Sequence, residues 1–362
     1  MQENNTALIA MSGGVDSSVA AYLTQRAGYT CAGVTMRLYR NEDIGLCQYR
    51  TCCSQRDIDD AAEVAFELDM PFHVADYTAA FKTQVIEKFV RVYENGGTPN
   101  PCIDCNRYMK FSHLLDFAAQ KGYHYVVTGH YARIAYDEKT GRWLLKKAKD
   151  QQKDQSYVLY MLSQEQLARI MFPLGELTKP EVRDIAAQQG FVNARKHDSQ
   201  DICFVPDGDY VAFMERFTGK QYAAGDYLDL SGKVVGRHRG AVCYTLGQRK
   251  GLRLALGEPV YVCQKSMADN TVTVGPESTL YTRSLIADDL NWIPFDKPAG
   301  PMRLTACTRH HQKEQAVTAA LLSDGRLRLD FDVPQRAVTP GQAVVLYDGE
   351  LVVGGGTIQE SF

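Results

Sequence analysis

Short apolar runs and helical stripes alternate through the first 130 residues. The ALIAM run around residues 8–10 predicts a buried strand. Ser17 to Arg26, with Val19, Ala20 and Leu23 as its apolar stripe, predicts a helix. Ala32 to Leu38 reads as a second strand, Asp57 to Leu68 as a helix, and Pro71 to Val74 as a short strand. Thr78 to Tyr93 and Phe111 to Lys121 read as helices. Tyr125 to Thr128 reads as a strand that runs into Gly129-His130-Tyr131. This alternation predicts an α/β fold, a parallel sheet with helices on both faces. Ligands of such sheets bind beyond the carboxyl ends of the strands. After about residue 205 the pattern changes. Residues 219–275 are rich in Gly and Tyr and carry few helical stripes. From about 276, β-rich runs follow one another: Met302 to Thr308, Ala316 to Leu322, Arg326 to Phe331, Ala343 to Tyr347 and Leu351 to Val353. Asp324-Gly325, Pro340-Gly341 and Asp348-Gly349 mark turns between them, and the spacing predicts a small β-barrel. The expected division is 1–205, 206–275 and 276–362.

Composition narrows the classes. The chain has 362 residues, 45% hydrophobic and 23% charged, which excludes a disordered or low-complexity protein. No apolar run reaches the roughly 18 residues of a membrane span. The start MQENNTALIAMSGG carries no basic leader, so a cytoplasmic protein with no membrane partner is expected. The formal net charge of -3 does not advertise nucleic-acid binding. Two local runs do: Arg142 to Lys153 holds five basic residues and one acid, and Arg237 to Arg253 five and none. The ten cysteines stand out, because a chain without a leader keeps its thiols reduced. Cys31, Cys243, Cys263 and Cys307 read as small core residues. Cys47, Cys52 and Cys53 form C-x4-C-C in a polar loop, where loop thiols, a redox role and zinc all stay open.

Ser12-Gly13-Gly14-Val15-Asp16-Ser17-Ser18 lies between the first strand and the first helix. Its glycines let the backbone approach a ligand, and its hydroxyls and helix-start amides form an anion nest. It lacks the Gly-Lys-Ser/Thr ending of a Walker A loop. Charge compensation therefore falls to amides, hydroxyls and a cation, with Asp16 placed to help hold Mg²⁺. The plainer alternative is a glycine turn in which Asp16 and Ser17 cap a helix. The heptapeptide resembles the PP-loop of ATP pyrophosphatases, which split ATP into AMP and pyrophosphate.

Further stretches narrow the resemblance. They are Gly97-Thr98-Pro99-Asn100-Pro101-Cys102-Ile103-Asp104-Cys105-Asn106 with Lys110-Phe111, Thr128-Gly129-His130-Tyr131, Lys153-Asp154-Gln155-Ser156-Tyr157 and Asp198-Ser199-Gln200-Asp201-Ile202-Cys203-Phe204. Thr245-Leu246-Gly247-Gln248-Arg249-Lys250-Gly251-Leu252, Thr339-Pro340-Gly341-Gln342 and Gly354-Gly355-Gly356 complete the set. Across nearly the whole chain this pattern resembles the tRNA-specific 2-thiouridylase family. The resemblance implies ATP-dependent replacement of the wobble uridine's C2 oxygen in tRNA by sulfur. ATP adenylates the oxygen, a cysteine persulfide charged by a sulfur-donor protein attacks, and AMP leaves. A second cysteine then reduces the persulfide, leaving a disulfide, and both sulfurs act as thiolates. The matching positions are Cys203 for the carrier and Cys105 for its partner.

Cys102 departs from the pattern, which commonly has an acidic residue there. Cys102, Cys105 and Cys203 are also a thiol set that could hold an iron–sulfur cluster, as related PP-loop thiolases do. The resemblance places ATP at Ala10, Met11, Ser12, Gly13, Gly14, Val15, Asp16 and Ser17, with Met36 and Gly129 near the adenine. It places tRNA at Asn100, Pro101, Cys102, His130, Lys153, Asp154, Gln155, Arg309, His310 and Gln342. His310 stands where the family usually has a different aromatic or basic residue. Other PP-loop synthetases and a non-catalytic tRNA-binding or ATP-sensing protein remain as alternatives. The first would work without the two cysteines, and the second would release no AMP.

Overall fold

The computed structural model describes residues 5–40, 55–196 and 202–362. The first strand, β1 (Thr6–Ala10), sits between β2 (Thr30–Arg37) and β4 (Tyr125–Val127), with β3 (Phe72–Asp76) outside β2. The hairpin β5 (Arg133–Asp137) and β6 (Arg142–Lys146) leaves this sheet, and β7 (Ile170–Met171) ends it beside β4. The order is β3-β2-β1-β4-β7 and every pairing is parallel. Burial on both faces explains why the central strands are continuous apolar runs. Alternate side chains divide between two cores. Ala7 and Ile9 join α1 (Val15–Arg26) and the helix Lys179–Gln189 on one face. Leu8, Ala32 and Val34 face Leu114, Leu115 and Ala118 on the other.

The middle of the chain forms a helix, Tyr210–Thr218, and a four-stranded sheet. Its strands are β8 (Gly225–Leu228), β9 (Val234–His238), β10 (Tyr261–Ser266) and β11 (Thr271–Gly275), in the order β10-β11-β8-β9. Its core is shared with the helical segment 78–94: Phe204 packs edge-on against Phe81 and Phe89, Phe213 edge-on against Phe89, and Phe204 and Phe213 tilt against each other. Each such fully buried ring contributes about 1.5–3 kcal/mol of transfer free energy.

The C-terminal strands are β12 (Tyr281–Trp292), β13 (Met302–Cys307), β14 (Gln315–Leu321), β15 (Leu327–Arg336), β16 (Ala343–Asp348) and β17 (Leu351–Ser361). They run β12-β15-β14-β13-β16-β17, and β12 pairs again with β17, which closes a six-stranded antiparallel barrel. The β5–β6 hairpin extends this sheet through Leu351 opposite Lys146. The first sheet's own chain thus splices directly into the barrel. No helix among the described residues is long and apolar enough to cross a membrane.

Three local expectations need correction. Cys105, like Cys203, reads as a loop thiol from its polar, Pro- and Asp-bearing sequence, but with Cys102 it lies on one continuous helical stretch, Pro101–Asp104 running into a π-helical segment Cys105–His113 and then Leu114–Gln120. Pro101 occupies the first helical position, where its missing N–H costs nothing. Cys263 was expected in the core, but it is half-buried beside a β-bulge and its thiol meets Thr279 Oγ1 at 2.8 Å. Cys31, Cys243 and Cys307 are buried as expected. Finally, β12 and the β5–β6 hairpin fall outside the runs read from the sequence. Cys47, Cys52, Cys53, Asp198, Ser199, Gln200 and Asp201 lie outside the described residues.

Candidate active site

The loop between β1 and α1 is held open by its own hydroxyls. Ser17 Oγ donates to Gly14 O at 2.9 Å and accepts from Ser12 N at 3.2 Å, and Ser18 Oγ donates to Gly14 O at 3.2 Å. Gly13 has φ +69°, and a Cβ there would lie 2.3 Å from Asp57 O, so only glycine fits. Met11 is buried under the loop, with its carbonyl taken by Thr35 Oγ1 at 2.6 Å. Ala10, Gly14 and Asp16 stay partly accessible and Ser12 is exposed, while Val15 and Ser17 turn inward.

The cation that the loop sequence lacks arrives from far along the chain. Lys179, at the start of its helix, donates from Nζ to both Asp16 oxygens at 2.7 and 2.8 Å, and Tyr131 Oη donates to Asp16 Oδ1 at 2.9 Å. Lys196 reaches Gly13 O at 3.0 Å, with Asp57 and Asp60 each 2.6 Å from its ammonium. Asn193 Nδ2 donates to Ser18 Oγ at 2.9 Å. None of the three was singled out from sequence. The one legible cue was the Thr178-x-x-Glu181 capping box, which marks the helix that carries Lys179.

From this loop a path of contacts leads to a thiol. A Cβ on Gly129 would come 2.8 Å from Asp16 C and 2.9 Å from Ser17 N, so the chain after β4 presses on the loop backbone. This packing explains the glycine at 129. Next to it, His130 is buried, with Thr128 Oγ1 at 2.7 Å from Nδ1 and Lys110 Nζ at 3.3 Å from Nε2. An ammonium can only donate, so Nε2 accepts and Nδ1 carries the proton toward Thr128. Burial, then the Lys110 charge, holds this imidazole well below its ordinary pKa, so it is neutral. Lys110 lies five residues after Cys105 inside the π-helical stretch. That geometry closes its turns i to i+5 and brings the lysine back over the cysteine.

Burial pushes the Cys105 thiol up to about 11, against an opposing pull from Lys110 and with small further increases from Cys102 and Asp104. Cys102, one helical turn earlier, is exposed. Cys203 is half-buried on the rim of the same core cluster as Cys105. Its carbonyl accepts from Tyr39 Oη at 2.7 Å, and the following Phe204 is fixed among Phe81, Phe89 and Phe213. Among the described residues, no group of three or more His, Cys, Asp or Glu could hold a metal ion, so Cys102, Cys105 and Cys203 are not assembled as cluster ligands. Met36, at the carboxyl end of β2, packs against two core clusters at once.

Several candidate tRNA residues turn out to brace the protein. Gln342 Nε2 donates to Thr98 O at 2.9 Å and Pro99 O at 3.2 Å. Asp154 accepts from Ala148 N at 2.7 Å and Ser156 Oγ at 2.6 Å, and Gln155 Oε1 accepts from Tyr131 N at 2.9 Å. His310 lies 5.6 Å from the Tyr157 ring, with its Nε2 buried and without a partner, and burial lowers its pKa to about 4. Asn100 stands at the N-cap position of the thiol helix without a side-chain cap bond, Pro101 is buried, and Lys153 and Arg309 reach the surface.

The two basic runs also separate. In the first, Arg142 pairs with Asp296 at 2.8 Å, Lys149 with Glu181 at 3.6 Å, and Lys147 with Glu314. Much of that charge is spent within the fold. In the second, Arg239, Arg249, Lys250 and Arg253 are exposed, and no ion pair engages them among the described residues.

Comparison with known proteins finds relatives along nearly the whole chain. Residues 5–207 match the family profile described as a tRNA methyl transferase HUP domain, 211–276 its PRC-barrel domain, and 282–358 an aminomethyltransferase β-barrel domain. The tRNA-specific 2-thiouridylase MnmA of Acetivibrio thermocellus is 48% identical over 97% of this chain and 98% of its own. Proteins of the same name from Moorella thermoacetica and Clostridioides difficile are 49% and 43% identical, over 97% and 99% of this chain and 99% of each relative. The profile's description names methyl transfer, whereas the full-length relatives are named for thiolation. The phosphate loop and the two rim thiols fit the second.

Proposed function

The chain belongs to the tRNA-specific 2-thiouridylase family, and from that premise we propose that it replaces O2 of the wobble uridine in tRNA with sulfur at the expense of ATP. The observation that carries this reading is the continuous path from phosphate loop to thiol: Asp16 and Ser17, Gly129, His130, Lys110, Cys105. Adenylation and sulfur transfer act on one carbon in succession, so their two machineries must adjoin.

In this reading the loop amides and hydroxyls of Ser12 to Ser18 receive the phosphates, and Lys179 supplies the positive charge that a Walker lysine supplies elsewhere. Asp16 holds that ammonium in place. It is also the loop's one carboxylate, and its donor chemistry suits Mg²⁺ carried in with the nucleotide. The ion would screen the phosphate charge. Uridine O2 attacks the α-phosphorus and pyrophosphate leaves, so the carbonyl oxygen becomes part of a good leaving group.

A sulfur-donor protein charges Cys203 as a persulfide. Its terminal sulfur attacks C2, and AMP departs with the original oxygen. Cys105 then releases its proton to solvent and, as the thiolate, attacks the Cys203 sulfur. The sulfur–sulfur bond to the base breaks, 2-thiouridine leaves, and a Cys105–Cys203 disulfide remains. Of the divisions 1–205, 206–275 and 276–362, the first takes the ATP and thiol chemistry, and the central part and the barrel help grip the tRNA. The exposed arginines and lysine at 239–253 supply phosphate contacts.

The test is nucleoside analysis of tRNA after incubation with the protein, Mg–ATP and a persulfide donor. Wild type should yield 2-thiouridine and AMP in equal amounts. AMP without thiouridine would point to another synthetase, and neither product to a binding protein.

A further inference from the structure

The turn that carries Cys102 and Cys105 is gripped by the C-terminal barrel on both sides. Upstream, Thr98 N donates to Pro340 O at 2.9 Å, and Gln342 Nε2 donates to the carbonyls of Thr98 and Pro99. The two backbones approach so closely that a Cβ on Gly97 would lie 3.1 Å from Pro340 O, and one on Gly341 3.1 Å from Thr98 N. Downstream, Arg107 Nη1 and Nη2 donate to Asp289 Oδ2 and Oδ1 at 2.5 and 3.2 Å, a bidentate pair across the same boundary.

Asp289 is no ordinary strand residue. It has φ +47°, a left-handed conformation uncommon outside glycine and asparagine, and it sits where the β12–β17 register shifts between Asp288 and Asn291. A bulge of this kind re-aims a side chain out of the ladder. Here it aims a carboxylate at the helix of the nucleophile, and the guanidinium holds that carboxyl below its ordinary pKa. The neighbouring Asn291 continues the seam, donating to Tyr160 O at 2.6 Å and Leu162 O at 3.1 Å. On the helix itself, Asn106 Nδ2 donates to Val158 O at 3.0 Å and Lys88 meets Asp104 at 2.6 Å.

We propose that Arg107, Asp289 and Gln342 are positioning residues through which the barrel fixes the thiol-bearing turn, so that the barrel sets where Cys105 stands as well as gripping tRNA. The proposal rests on Cys105 acting in the reaction described above. The backbone between residues 99 and 107 spans only two helical turns, and anchoring both ends to one rigid body leaves its thiols little freedom. Loss of either anchor lets the turn shift while sheet and barrel keep their own cores. A displacement of about 1 Å at a reacting group can cost on the order of a hundredfold in rate.

The experiment compares wild type with Arg107→Ala, Asp289→Asn, Arg107→Lys and the surface control Arg326→Ala, by timed alkylation with iodoacetamide and peptide mass spectrometry, and by thiolation kinetics. Cys31 in the sheet and Cys307 in the barrel, both buried, report global opening. The brace predicts at least about tenfold faster labelling of Cys105 in the first two variants, with Cys31 and Cys307 unchanged. It predicts kcat reduced about tenfold to a hundredfold with KM for tRNA within about twofold. Arg107→Lys should recover part of both losses, and Arg326→Ala should match wild type. Cys105 labelling and kcat at wild-type values in Arg107→Ala would overturn the proposal, as would equal acceleration at Cys31 and Cys307. A wild type that makes no 2-thiouridine would instead overturn the function assigned above, and the labelling result would still stand or fall alone.

Discussion

The phosphate loop, which follows the central strand β1, and the thiol turn differ in how they set their electrostatics. The loop is wired with ammonium–carboxylate contacts: Lys179 on Asp16, and Lys196 on Asp57 and Asp60. Its charge is already placed before any nucleotide arrives. The thiol turn carries ion pairs of its own, Arg107 on Asp289 and Lys88 on Asp104, while desolvation pushes its half-buried Cys105 thiol up to about 11. In the proposed reaction this difference implies an order of events: the charges around the phosphate loop are already in place, whereas Cys105 has still to lose its proton before it can act as a thiolate.

The largest expected effect comes from the carrier. Cys203→Ser should lower 2-thiouridine formation on the order of a thousandfold or more, the kind of loss that follows removal of a covalent nucleophile. AMP formation should persist, which would separate the two halves directly. Undiminished thiouridine would break the comparison. Next comes the loop cation. Lys179→Met should slow AMP formation by about a hundredfold, as when one stabilising donor is removed from a transition-state site, and should leave Cys105 alkylation unchanged. A smaller loss is expected from Gly129→Ala. Its new Cβ would press on the backbone of Asp16 and Ser17, weakening ATP binding about tenfold by equilibrium titration and lowering Tm as well, because the loop backbone must shift to admit it.

The smallest effect is on stability at alkaline pH. Burial raises Cys31, Cys105 and Cys243 to about 11 and Cys307 to about 12. The unfolded thiols titrate near 8.5, so between about pH 8.5 and 11 the folded chain holds more protons than the unfolded one. Stability therefore falls as pH rises through that window, while below about 8.5 these thiols contribute no slope. Thermal unfolding followed from pH 7 to 10 should show a Tm that declines only above about 8.5. Cys105 alkylation should accelerate over the same range.

Legibility followed the same divide. The phosphate loop is local: seven consecutive residues between a strand and a helix carry its whole signal. Its cations are not local, because Lys179 and Lys196 lie more than 160 residues further on and nothing in their surroundings marks them for a phosphate site. The alternation of strand and helix gave the parallel sheet because fully buried strands stand out as continuous apolar runs. β12 was hidden because Thr282-Arg283-Ser284 and Asp288-Asp289 interrupt its apolar pattern, and those acids serve a bulge and an ion pair instead of a core. The β5–β6 hairpin was hidden for another reason. It lies among the sheet's residues in sequence but belongs to the barrel in space. Cys105 looked like a loop thiol because Pro, Asn and Asp stand near it. Yet proline at the first helical position and a π-helical continuation make that polar stretch a helix. The resemblance marked Gln342 and His130 as tRNA contacts, but only the structure shows what their side chains already hold.

One measurement reaches the central claim most directly. The protein is loaded with an isotopically labelled persulfide on Cys203, freed of excess donor, and mixed with tRNA and Mg–ATP for a single turnover. The account predicts label in 2-thiouridine at one equivalent per AMP released, with a Cys105–Cys203 disulfide in the non-reducing peptide map. Label that stays on the protein while AMP accumulates, or thiouridine formed equally well by Cys203→Ser, would contradict it.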